Sequence, residues 1–258
     1  MVPIVENAEW ERVNVMKHVD RLRVVSTYTE TVLILVVIQI LITLFIIMLS
    51  SIIGNHFRDN SQPIPSIVAG LFILIAFVIA VLVVLVKKIS EKYPLNVMFV
   101  IIYSIFMAIA MAVWSIELCI LYKLAIFGIS LVLFTFALLI GAAIKADSVD
   151  HLINILISLL VLSVVIAVVG FVLSVLKKRK FPTIGVYVGV QILFFIITIF
   201  ISHFTVGKSR YLILYPDYSL AAIILYTVFS SSLSVNTGIW KVYNKTGNCS
   251  IQFELNSE

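Results

Sequence analysis

Seven stretches of about twenty or more residues, none holding an Asp, Glu, Lys or Arg, follow one another along the chain at 31–54, 66–86, 97–116, 124–144, 152–176, 183–206 and 219–240. A bilayer's hydrocarbon core is about 30 Å thick and a helix rises about 1.5 Å per residue, so each stretch is long enough to cross it. Lipid offers no water to backbone N–H and C=O groups, and a helix satisfies them within one segment. The chain is therefore expected to be all-α, a polytopic membrane bundle of seven transmembrane helices. A soluble fold is excluded, because 12% of residues are charged and 62% hydrophobic, where soluble domains carry about a quarter charged.

Three segments follow from this pattern. Residues 1–30 form a charged cytosolic leader with amphipathic character, without the short apolar region and cleavage site of a signal peptide. Residues 31–240 form the seven-span membrane domain, and 241–258 a polar tail. The net charge of +5 sits in clusters between apolar stretches, which makes it a topology signal. The lipid bilayer, not nucleic acid, is the expected partner. With the amino terminus in the cytosol, that side holds 10 Lys and Arg and the opposite side 8, a thin margin. The chain reads as integral and multi-pass, in an endomembrane (ER or Golgi) or the plasma membrane.

The stretch 219–240 differs from the others. Thr227, Ser230, Ser231, Ser232 and Ser234 crowd its second half. Hydroxyls and small residues favour sites where helices approach closely, so this seventh span is expected at the centre of the bundle. In 183–206, His203 beside Ser202 is the one side chain inside a span that titrates in the neutral range. His203, Ser202, Thr227, Ser230, Ser231 and Ser232 are the candidate pore or gate residues. The connection 117–123 between the third and fourth spans is short, which makes them a tight hairpin.

No intramembrane Asp pair, Gly-x-Ser-x-Gly motif or His/Glu cluster is present. No enzymatic activity, catalytic residue, cofactor or metal centre is expected. Cys119 and Cys249 lack metal-ligand spacing, are not expected to pair with each other, and leave the redox compartment open. The tail triplets at Asn244 and Asn248 have the form of glycosylation acceptors, usable on a lumenal side alone.

Two motif groups add a resemblance. Glu91-Lys92-Tyr93-Pro94-Leu95-Asn96 joins the second and third spans. Gly207-Lys208-Ser209-Arg210-Tyr211, Pro216-Asp217-Tyr218 and Ala221-Ala222-Ile223-Ile224-Leu225-Tyr226 lead into the seventh. In this order the chain resembles the transmembrane Bax inhibitor motif family, also called lifeguard proteins, over about residues 20–240. Pro94, Asn96, Lys208, Asp217 and Tyr226 carry the match.

The resemblance implies a role in modulating cell death or intracellular calcium, with calcium or other cations and membrane proteins of cell-death pathways as partners. Calcium-conducting members of that family have a gating aspartate pair. Its positions fall here near Phe200 or Ile201 and at Val228, and the family's third-span glutamate falls near Met107 or Ala108. The carboxylates that would bind a hard cation and share a proton are missing. Two alternatives stay open: a carboxylate-independent channel or transporter, and a non-conducting membrane scaffold.

Overall fold

In the computed structural model, the described residues are 28–52, 64–86, 93–144, 180–205 and 218–243, with isolated positions between 158 and 169. They form six long helices: α1 Tyr28–Ile52, α2 Ile64–Leu85, α3 Leu95–Trp114, α4 Ile120–Ala143, α5 Lys180–Thr205 and α6 Tyr218–Tyr243. All six are long and apolar enough to cross a membrane, and the chain is an all-α, multi-pass membrane protein. The stretch 152–176 falls almost wholly outside the described residues. Its described positions, among them Val161, Leu162, Val164 and Val165, are helical and exposed.

The helix boundaries follow local chemistry. α3 starts directly after Pro94, whose ring sits where a helix needs no N–H. α4 begins earlier than expected, because the connection contracts to the turn 115–119. Lys123, expected in that connection, lies inside α4. Along α4 the buried residues Lys123, Ile126, Phe127, Ser130, Phe134, Ala137 and Gly141 recur three or four apart, one face of a 3.6-residue helix.

Side-chain pairs fix the helix directions. Asn96 meets Tyr218 and Glu117 meets Lys241, so α3 and α6 run parallel. Ser130 meets Asn236 while Phe134 meets Phe229, so α4 opposes α6. Gln191 meets Ser232, and Tyr187 lies against Gly238, so α5 opposes α6 as well. Leu138 meets Ser202 and Gly141 meets His203, which makes α4 and α5 parallel.

The side where α1, α3 and α6 begin is called the near face, and the side where α3 ends and α4 begins the far face. α6 differs from its neighbours in burial. In the apolar window of each helix, 67% of its residues are buried, against 22% to 44% in the other five. It packs on α2, α3, α4 and α5, and it bonds α1 through Tyr226.

Candidate functional site

Three residues of the resemblance converge between α1, α3 and α6. Asn96, in the first turn of α3, is buried, and its amide donates to the Tyr218 hydroxyl at the start of α6. Its Oδ1 accepts from the Val97 backbone N–H at 2.8 Å. Two turns deeper, the Tyr226 hydroxyl lies 2.6 Å from Thr43 Oγ1 on α1 and 3.3 Å from the Ser104 carbonyl on α3. Thr43 donates to the Gln39 carbonyl at 2.9 Å and Tyr226 to the Ser104 carbonyl, and the two hydroxyls lie in contact with each other. One tyrosine thereby ties three helices together.

Tyr103 and Thr227 repeat the arrangement at 2.6 Å. Because Thr227 donates to the Ile223 carbonyl, Tyr103 is the donor to Thr227. The Tyr103 and Tyr226 rings meet edge to face, 6.0 Å apart at 81°. Gln39, one turn from Thr43, is fully buried, and its amide N and O have no hydrogen-bond partner among the described residues. The centre of the bundle is thus a cluster of hydroxyls and one carboxamide, a neutral polar core.

The six pore or gate candidates sit on different faces. Ser202 donates to the Leu138 carbonyl at 2.8 Å and His203 Nδ1 lies 3.3 Å from the Gly141 carbonyl, both at the α4–α5 contact. Thr227 faces α3. Ser230 donates to the Thr227 carbonyl of its own helix at 3.0 Å. Ser232 accepts from Gln191 Nε2 at 2.7 Å, toward α5. Ser231 is half-buried.

Asn236, which the sequence reading passed over, donates to Ser130 on α4 at 2.8 Å. The hydroxyls of α6 therefore act as polar glue toward three neighbours. Ser232 lines a pocket together with Gln191 and Thr198. Lys208 and Asp217 lie outside the described residues. Where the resemblance implies aspartates, Val228 is buried and Phe200 and Ile201 are apolar. The acidic residues among those described are Glu30 and Glu117, one at the start of α1 and the other in the turn after α3.

A second cluster, on the far face, was hidden by reading Lys123 as a loop residue. The Lys123 side chain is 3% exposed, its Nζ 3.4 Å from Ser50 Oγ, beside a pocket lined by Met111, Ser115, Leu118 and Thr237. No carboxylate lies within ion-pair distance among the described residues. The helical spacing from Lys123 through Ile126 and Phe127 to Ser130 was the signal that could have found it.

Around this cluster, Lys241 pairs with Glu117 at 3.2 Å and stands 4.7 Å from the Trp114 ring centre. Tyr122 and Trp240 are in contact at 4.9 Å. Such aromatic groups mark a membrane–water boundary. Cys119, the residue before α4, is disulfide-bonded.

Lys123→Met should leave the thermal midpoint unchanged or raise it, with a gain of up to about 2 kcal/mol. Methionine fills a similar volume and removes the desolvation cost of a buried cation that no acid among the described residues offsets. A fall in the midpoint would mean the ammonium makes interactions the methionine cannot replace.

No family model, no curated protein and no solved structure matches this chain.

Proposed function

We propose that this chain is a divergent transmembrane Bax inhibitor motif protein that modulates cell death or calcium handling from within a membrane, without a carboxylate gate. The observation that carries the proposal is the meeting of Asn96 with Tyr218. The motif segments were recognised separately in the sequence, and Asn96 and Tyr218 belong to the two that a hydrogen bond joins. Tyr226, from the third, ties α6 to α1 and α3.

The same reading completes the architecture as seven spans about the last one. The parallel course of α4 and α5 leaves a return crossing for 152–176, and the burial of α6 supports its central place. A non-conducting scaffold for other membrane proteins is the second reading. It is favoured because the α6 hydroxyls are engaged with neighbouring helices and backbone carbonyls and do not line one path.

The decisive comparison is between cells expressing the wild type and cells expressing Asn96→Ala with Tyr226→Ala, matched for folded protein. Stored calcium and survival after a death stimulus should differ between them. Identical values would remove the proposal. In proteoliposomes, calcium efflux between about pH 6 and 8 should show no pH-dependent component, because no carboxylate pair faces another inside the described helices. A pH-dependent leak abolished by His203→Ala would instead assign gating to the histidine.

A further inference from the structure

We infer that Cys119 is bonded to Cys249 of the same chain, and that the far face of the bundle therefore lies in an oxidising compartment, with the amino terminus in the cytosol. The chain has two cysteines, and Cys119 is disulfide-bonded. Cys119 sits on the turn between α3 and α4, and two contacts on either side of it hold the end of α6. Glu117 pairs with Lys241 at 3.2 Å, and Tyr122 packs on Trp240 at 4.9 Å. Cys249 follows the last residue of α6, Tyr243, by six positions. At about 3.3–3.6 Å per residue, six residues reach about 20 Å, ample from a helix end already docked beside the turn.

The bond forms by thiol–disulfide exchange. One cysteine thiolate attacks the disulfide of a thiol oxidoreductase, and the second displaces that enzyme from the mixed disulfide. The protein S–S bond forms, the oxidant's S–S bond breaks, and two electrons and two protons pass to the oxidant, which leaves as a dithiol. Such bonds persist in the ER lumen or outside the cell and are rare in the cytosol.

This decides an orientation that charge left nearly balanced at 10 against 8 Lys and Arg, and it does so although Lys180, at the start of α5, lies on the far face. The Asn96–Tyr218 junction then lies at the cytosolic side. The buried Lys123 lies nearest the lumenal or external side.

The test uses the full-length protein in native membranes, denatured under thiol-blocking conditions and labelled with a polymer-linked maleimide. Neither thiol should react before reduction and both should react after it, and Cys119→Ser should expose one reactive thiol without reductant. Two reactive thiols before reduction, or a cross-linked dimer that reductant dissolves, would overturn the pairing. In sealed vesicles with the cytosolic side outward, an epitope after Glu258 should resist added protease. Its digestion in intact vesicles would overturn the orientation.

Discussion

Gly141→Ala is expected to lower the stability of the folded bundle by about 1–3 kcal/mol, while Gly128→Ala on the same helix leaves it unchanged or raises it slightly. A methyl at Gly141 would stand 2.5 Å from the Ile199 backbone carbonyl oxygen and 2.7 Å from Ser202 Cβ. The carbonyl belongs to the α5 backbone and has no rotamer to yield, so α5 must move away from α4 as a unit. With it would go the Ser202 bond to Leu138 and the His203 contact with Gly141.

A methyl at Gly128 meets nothing within 4 Å, and there the ordinary helix preference for Ala over Gly, about 0.5–1 kcal/mol, acts alone. Thermal midpoints of both variants in one detergent or nanodisc test the contrast directly. Equal midpoints would mean that α4 and α5 do not meet at Gly141. The same pair bears on any gating role of His203, since its imidazole reaches the Gly141 carbonyl across this contact.

The six helices were legible because lipid reduces the folding problem to length and charge. The expected stretches 31–54 and 66–86 became Tyr28–Ile52 and Ile64–Leu85 with ends moved by a few residues. The same reduction hides Lys123: a charge reads as the end of a span, although α4's buried stripe runs through it. The polar stretch 219–240 falls on the most buried of the six described helices. The assignment of its hydroxyls to a pore had no such basis, because composition does not say which neighbour each hydroxyl faces.

The Asn96–Tyr218 contact could not be read from spacing at all. It depends on α3 and α6 running parallel, a property of the tertiary arrangement. Tyr226 shows the intermediate case. Its place in a motif is visible, but its role in joining α1 and α3 to α6 depends on Thr43 and the Ser104 carbonyl both standing beside its hydroxyl.

Phe229→Ala is expected to destabilise the bundle by about 2–3 kcal/mol, near the low end of what the same truncation costs in a water-soluble core. Phe229 is fully buried on α6, edge to face with Phe127 at 5.7 Å and 79° and with Phe134 at 5.4 Å and 67°. In water, such a truncation loses the transfer energy of the ring and leaves a cavity. In a membrane the unfolded helices already hold the ring in an apolar surrounding, so the transfer part largely cancels. What stays is the cavity and the lost dispersion contacts with two helical turns of α4.

Phe45 on α1 supplies the control, since its side chain is 68% exposed on the outer surface of the bundle. Phe45→Ala removes a ring that meets lipid in both states and should cost well under 1 kcal/mol. Unfolding in mixed micelles with increasing denaturing detergent would measure both. Equal costs would mean that Phe229 faces lipid and that α6 does not sit against α4, and the buried place of the last helix would fall with it.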